Sequence, residues 1–460
     1  MERRRFLAAG AVGVGTAVFG GAASSGAGAE PGGVEFGRAG SGGLAQGGLA
    51  RGGLAQGGAG AEDGGQGGGG QGGGEQSGVV RTGAEQWAAL GWRELAGQRV
   101  GVLTNPTGVL VDQTHVVDSM VAAGVPPVAV FGPEHGFRGT AQAGGSEGDY
   151  LDPRTGIPVY DAYGADAAKL AGLLTKAGVE HVVFDIADIG ARFYTYIWSM
   201  YAAMQAAARV GARFTVLDRP NPVGGEAHGP QLDPAYATGV GRKPIVQQHG
   251  MTVGELAGFF NAEFLPSDGG AVADLRVVEV RGWRRSRLDT GLPWVPPSPN
   301  VPTRDTALVY PGTCLFEGLV FSEGRGTTRP FETIGAPGLD WRWAEDLNAR
   351  GLPGVRFREA HFTPWFGKFA NTACSGVALQ VTDPGGFDAI RTAVEMIVVA
   401  RSRYPAVFAW RPDNWIDKLS GSDRLRRMVG AGAGADEVVD AWSDELSTFR
   451  TRRRRHLRYR

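Results

Sequence analysis

From residue 98 to residue 217 the chain alternates two patterns. Short apolar runs rich in β-branched residues are separated by longer stretches whose apolar positions recur every three or four residues. The runs Arg99–Leu103, Pro127–Phe131, His181–Ile186 and Arg213–Leu217 predict strands. The stretches Thr114–Ala123, Asp166–Ala177 and Thr195–Val210 predict helices, and in the second of them Leu170, Leu173 and Leu174 share one face. Such alternation builds βαβ units with a parallel sheet covered on both faces. No G-x-G-x-x-G follows the first run, so a Rossmann-like sheet without a dinucleotide fingerprint is expected. Further on, Gly291–Pro302 holds too many prolines for a helix or a central strand. Beyond it, a run at Val377–Val381 and a helical stretch at Asp388–Ser402 predict a second, smaller unit. The fold class expected is α/β: a Rossmann-like parallel-sheet domain over residues 80–303, followed by a smaller α+β C-terminal domain over 304–460.

Polar residues fall at informative places in this pattern. Asn105, Glu134, Asp185, Asp188, Asp218 and Arg219 all stand at or just past the carboxyl ends of predicted strands, where open α/β sheets bind ligands. Any one of them reads equally well as a helix cap or turn former; several carboxylates together favour a site. Trp294 sits on the stiff proline-rich rail, which joins domains, walls a cleft or does both. The stretch Leu315–Thr328 carries Glu317, Glu323 and Arg325 among glycines, the composition of a binding loop.

Composition changes the picture mainly at the ends. Of the 460 residues 76 are glycine, and 23 of these lie between residues 31 and 78, where G-G-L-A-Q repeats give way to Gly and Gln alone. That segment has no apolar area to offset the entropy of ordering, so residues 30–79 read as a flexible linker. Before it, Arg3-Arg4-Arg5-Phe6-Leu7, a short apolar stretch and Ala27-Gly28-Ala29 read as a cleaved secretory signal over residues 1–29, in an order similar to twin-arginine signals. The protein is therefore expected to be secreted or cell-wall associated. A net charge of −1 argues against general nucleic-acid binding, and no apolar run in the body of the chain is long enough for stable membrane insertion. Cys314 and Cys374 are too few for a disulfide scaffold and are expected as free buried thiols. Seven arginines between Arg450 and Arg460 form either a solvated helix end or a patch for anionic cell-wall polymers. The histidines show no metal-ligand spacing, so no metal or cofactor is expected.

Eight strings occur in order: L-T-N-P-T-G-V (Leu103–Val109), F-G-P-E-H-G-F-R-G (Phe131–Gly139), F-D-I-A-D-I-G-A-R-F-Y-T-Y-I (Phe184–Ile197), L-D-R-P-N-P-x-G-G (Leu217–Gly225), H-G-M-T-x-G-E-L-A (His249–Ala257), W-V-P-P-S-P-N (Trp294–Asn300), Y-P-G-T-C-L-F-E-G (Tyr310–Gly318) and S-E-G-R-G-T-T (Ser322–Thr328). Together they resemble the NamZ-type exo-β-N-acetylmuramidases across residues 82–460. The resemblance implies an active site in a cleft between the two domains. It also implies removal of terminal N-acetylmuramic acid from the non-reducing end of peptidoglycan fragments. Ala187 stands where the family usually has Gln, and Leu319-Val320 where it often has Thr-Asn, losses that trim hydrogen bonds to sugar.

Glycoside hydrolysis needs an acid to protonate the leaving oxygen and stabilisation of an oxocarbenium-like transition state. The resemblance and the strand-end position both point to Glu134 as that acid, with His135 beside it. Asp185, Asp188 and Glu323 are alternatives for the second role, and so is the acetamido carbonyl of the sugar itself. Muramic acid carries a lactyl carboxylate, which suits a guanidinium fork; Arg192, Arg219 and Arg325 are the candidates, at least one of them a partner for an aspartate instead. Tyr194 and Trp294 offer faces to sugar rings, Tyr196 reads rather as core, and Asn105, Asp218 and His249 complete the substrate-binding candidates. A non-catalytic peptidoglycan-binding protein is the alternative function; it would keep the cleft and the aromatics without needing Glu134.

Overall fold

The apolar runs become β1 (Val100–Thr104), β2 (Ala129–Gly132), β5 (His181–Asp185) and β6 (Arg213–Leu217) of a seven-stranded sheet. The sheet also includes β3 (Tyr150–Leu151), β4 (Pro158–Asp161) and β9 (Leu275–Val278), in the order β3-β4-β2-β1-β5-β6-β9. All pairings are parallel except β3 with β4. β1 and β5 are buried at every position, as strands covered on both faces must be. The computed structural model describes residues 78–460; the expected signal (1–29) and all of the glycine-rich stretch up to residue 77 lie outside the described residues.

The expected helices form close to their sequence limits because their ends carry caps. Asp166 accepts the Lys169 N–H at 2.8 Å to start Ala167–Ala177, and Gly178, in the left-handed region, ends it. His115 caps Val116–Ala122 through Nδ1, which accepts the Val117 N–H at 3.2 Å. The helix Tyr196–Val210 ends at Gly211. From β1 the chain turns to β2 and β4 on one side, then returns to place β5, β6 and β9 on the other. The crevice between the carboxyl ends of β1 and β5 is thus the switch point of the sheet.

The C-terminal part contains β10 (Thr333–Ala336), β11 (Val355–Phe362) and β12 (Cys374–Val381) as an antiparallel sheet in the order β10-β12-β11, with the helices Arg304–Thr313 and Arg342–Ala349 against it and the helix Ala389–Arg403 packed on those two. A small antiparallel pair, β7 (His228–Gln231) with β8 (Val246–Gln248), is inserted in sequence between β6 and β9 of the parallel sheet. One apolar cluster runs from Leu103 and Phe184 of the parallel sheet to Val377 and Ile397 of the C-terminal part. Gly291–Pro302 is irregular, as expected, and the helix Arg304–Thr313 follows it. Cys314 and Cys374 are buried and free. Among the described residues no helix is long and apolar enough to cross a membrane.

The basic tail is tied down rather than solvated. Arg453 is buried and donates to the carbonyls of Gly225, His249 and Gly250, while Arg452 and Arg455 pair with Glu263 and Arg458 with Glu279. Arg450 donates to the Ala227 carbonyl at 2.7 Å. The reading of a solvated helix end therefore fails: long-range carboxylates and carbonyls of the first domain consume most of these guanidiniums. At the other end the chain is engaged from Gly78, whose carbonyl accepts from Arg287, and Val80 packs on Val280 and Trp283.

Candidate active site

Glu134 follows Pro133 directly off the end of β2 and is held from both sides. Its Oε1 accepts the Gly144 N–H at 2.9 Å and its Oε2 accepts the Thr195 hydroxyl at 2.7 Å. The turn that presents it uses two consecutive left-handed residues, His135 (φ 71°) and Gly136 (φ 86°). A Cβ on Gly136 would stand 2.2 Å from the Glu147 side chain, so glycine is required there. Glu147 is the pin of the loop: it accepts from the N–H groups of Phe137, Arg138 and Thr140 and from the hydroxyls of Thr140 and Tyr150. His135 Nδ1 lies 3.0 Å from the Ala141 carbonyl. A carbonyl only accepts, so Nδ1 of the neutral ring carries the proton and Nε2 is left as the basic nitrogen.

Glu134 and His135 line a pocket of about 120 Å³. Its other walls include Tyr194, Thr195 and Tyr196 at the start of the helix Tyr196–Val210, and Tyr310, Glu317 and Arg325 from the C-terminal part. The Tyr194 ring stands edge-on to Tyr196 (5.1 Å) and to Tyr310 (5.6 Å), joining the two sets of walls. Burial, with the nearby Tyr196, Asp188 and Glu134, pushes the Tyr194 phenol well above its ordinary range, so it stays neutral. Arg325 pairs with Glu317 at 2.8 Å and reaches Glu323 at 3.5 Å; Lys368 holds the other oxygen of Glu323 at 2.9 Å. Burial raises the Glu317 carboxyl, against the pull of Arg325.

Several candidates prove to be committed elsewhere. Asp185 is fully buried and accepts two hydrogen bonds from Arg219, at 2.6 and 2.9 Å, while Arg219 also donates to the Val109 carbonyl. The two expected roles, catalytic carboxylate and lactyl reader, cancel in one ion pair. Arg192 is fully buried and donates to the carbonyls of Pro230, Ile245 and Leu419, fastening β7, β8 and the C-terminal part; it has no free face for a substrate. Asp218 accepts from the N–H groups of Arg219 and Gly254 and from the hydroxyls of Thr252 and Tyr459, so it caps a helix instead of meeting sugar. Glu323 belongs to the Lys368–Arg325 network and does not line the pocket.

The remaining candidates divide between two places. Asp188 Oδ2 accepts the Gly190 N–H and faces His249 Nε2 at 3.1 Å; His249 Nδ1 accepts the Met251 N–H, so Nε2 carries the proton and donates. His249 is fully buried and orients Asp188. Asp188 Oδ1 is buried and finds no donor among the described residues. Asn105 is also fully buried, its Oδ1 taken by the Thr107 N–H and hydroxyl. Trp294, Asp188, Arg219 and Ala187 line a separate groove of about 80 Å³ outside β5 and β6. The structure thus brings Glu134, His135, Tyr194 and Arg325 together and places Asp188 and Trp294 in the adjoining groove. Thr195, Glu317 and Tyr310 were missed as site residues, although all three lie in the strings quoted above.

Comparison with known proteins identifies the family. The family model for the N-terminal domain of exo-β-N-acetylmuramidase NamZ matches residues 100–305, and that for its C-terminal domain matches residues 308–459. A Bacillus subtilis (strain 168) protein described as peptidoglycan β-N-acetylmuramidase NamZ is 44 % identical over 372 residues, 80 % of this chain and 88 % of that one. Crystal structures of two DUF1343 family proteins from Bacteroides fragilis superpose with TM-scores of 0.75 and 0.67 at 31 % and 32 % identity. Each alignment covers 83 % of this chain and 99 % of the other. From the strand-end carboxylate to the C-terminal walls of its pocket, this chain belongs to the NamZ family.

Proposed function

We propose that the protein is an exo-acting glycosidase that releases terminal non-reducing N-acetylmuramic acid from peptidoglycan fragments, in cell-wall turnover or recycling. The observation that carries this reading is that Glu134 and Arg325 line one pocket. An acid at the glycosidic oxygen and a guanidinium for the lactyl carboxylate are the two groups this substrate asks for. Of the three candidate arginines, Arg325 lines the Glu134 pocket, whereas Arg192 and Arg219 are committed to carbonyls and Asp185.

The hydrogen bonds at Glu134 distinguish its two oxygens. The Gly144 N–H can only donate, so Oε1 stays an acceptor. The Thr195 hydroxyl can reverse and accept, so the proton delivered to the leaving oxygen is carried on Oε2. Departure of the leaving group develops positive charge on the sugar ring. Asp188, whose Oδ1 has no donor among the described residues, and the acetamido carbonyl of the substrate are the two groups suited to meet that charge. Glu317 takes up a proton as the lactyl carboxylate replaces it on Arg325, a change that its buried setting favours.

The N-terminal strings support placing the protein outside the cytoplasmic membrane or in the cell wall, delivered by a twin-arginine-like signal. Exposed Arg454 and Arg460 are the tail residues suited to touch anionic wall polymers. The deciding assay is release of the aglycone from a chromogenic β-N-acetylmuramide against the β-N-acetylglucosaminide. Fast release from the first and slow release from the second is the expected result. Binding of peptidoglycan fragments with release from neither would support a wall-binding protein instead.

A further inference from the structure

Trp365 is 74 % exposed, and its ring meets that of Phe366 edge-on at 5.0 Å. A single exposed aromatic needs no explanation, but this pair sits on a segment that is tightly fastened. The Trp365 N–H donates to the Gly326 carbonyl at 3.0 Å, and the Asn371 N–H to the Pro364 carbonyl at 2.7 Å. Gly326 has φ 80°, and a Cβ there would stand 2.4 Å from the Phe366 carbonyl oxygen, so the two loops touch backbone to backbone. Two residues past Phe366, Lys368 drives its ammonium among the carbonyls of Phe316, Leu319 and Phe321, at 2.8 to 2.9 Å, and onto Glu323 at 2.9 Å. Gly326 directly follows Arg325, whose guanidinium lines the Glu134 pocket. The loop that carries Arg325 therefore also fixes an exposed aromatic step, and a Cβ on Gly367, next to Phe366, would stand 3.7 Å from the Arg325 side chain.

We propose that Trp365 and Phe366 form a second sugar subsite, which takes the neutral 2-acetamido pyranose on the leaving-group side of the scissile bond. The inference rests on the glycosidase reading above. An exo-acting enzyme keeps the terminal sugar in its pocket, so the remaining glycan has to run out across the rim. The C–H face of a β-linked pyranose matches a flat indole, while charged peptide stems gain little from one. Because the loop is already ordered, no entropy of loop closure is lost on binding, which is how a preorganised surface gains affinity.

The test uses the full-length protein, its Trp365→Ala and Trp365→Phe variants, and two substrates. One is the disaccharide N-acetylmuramyl-β-1,4-N-acetylglucosamine. The other is methyl β-N-acetylmuramide, which has no ring beyond the scissile oxygen. Removing an aromatic anchor should raise KM for the disaccharide about 10-fold or more, with the methyl glycoside changed less than about twofold and Trp365→Phe recovering most of the loss. Unchanged disaccharide kinetics, or an equal loss on both substrates, would overturn the subsite. Wild-type protein inert on both substrates would overturn it as well, by removing the function itself, and is recognisable without any variant.

Discussion

Arg219 grips Asp185 through two hydrogen bonds, at 2.6 and 2.9 Å, at the carboxyl end of the strand that faces the switch point of the sheet. Both side chains are buried, so removing one leaves the other charged and unpaired. Breaking such a pair costs about 3–5 kcal/mol. Arg219→Ala should lower the unfolding free energy measured in urea by that much, with a matching drop in the midpoint. Arg325→Ala should instead leave the midpoint closer to wild type and raise KM for a muramide. A charge-assisted hydrogen bond is worth about 1.5–3 kcal/mol, so the rise should be roughly 10-fold or more. If Arg219→Ala kept its stability and lost muramide affinity, the assignment of the two arginines would be reversed.

His115 gives the fold an acid-sensitive point. Its Nδ1 accepts the N–H of the helix cap and its Nε2 donates to the Asn105 carbonyl, an arrangement that needs the neutral ring. Burial lowers its pKa from 6.5 to about 4, with the Asn105 carbonyl opposing. The unfolded chain therefore takes up the proton first as pH falls. The stability His115 contributes is complete above pH 6.5 and is lost progressively down to pH 4, amounting to about 3 kcal/mol. Urea titrations of wild type and His115→Asn across this range should converge as the pH falls, since Asn keeps a cap acceptor without titrating. Parallel curves would contradict this, showing that the ring takes up its proton at the same pH in the folded and the unfolded chain.

Glu147 should control catalysis without touching substrate. Glu147→Gln removes the charge that collects three backbone N–H groups of the loop bearing Glu134. The expected effect is a fall in kcat of about 10-fold or more with KM nearly unchanged, since a small misplacement of the acid is costly. A rise in KM at constant kcat would mean the loop serves binding instead.

Tyr459 joins the last residues of the chain to the first domain by donating to Asp218, which also caps the helix Val253–Glu263 through the Gly254 N–H. Tyr459→Phe should cost about 1–3 kcal/mol, the range for a buried acceptor that loses a donor. Deleting residues 1–77, by contrast, should leave the melting temperature and the activity unchanged. Differential scanning calorimetry reads the stability of both variants, and release from the chromogenic muramide reads the activity of the truncated protein.

The parallel sheet was legible because β1, β2, β5 and most of β6 are buried on both faces and so read as unbroken apolar runs. β3 has two residues, and β9 is a half-exposed edge strand, so neither stands out. The helix Arg304–Thr313 was hidden by Pro311 and Gly312, which read locally as a turn although both are buried in its last turn. At the site, strand-end position was enough to find Glu134. It could not distinguish Glu134 from Asp185 or Asp218, whose partners lie 34 residues away in Arg219 and 241 residues away in Tyr459. Glu317 was read as a charge on a binding loop but had no role assigned, because only folding sets its carboxylate against Arg325.

Glu134 is proposed as the acid that protonates the leaving oxygen. Glu134→Gln keeps the size of the side chain and can keep a hydrogen bond to Thr195, but has no proton to deliver. Initial rates for wild type and variant should be compared on the disaccharide and on an aryl β-N-acetylmuramide whose leaving group departs with little protonation. General acid catalysis contributes about 10²–10⁴-fold, so the variant should lose at least that on the disaccharide and far less on the aryl glycoside. Equal losses on both substrates would contradict the account, making Glu134 a nucleophile, a base or a structural carboxylate.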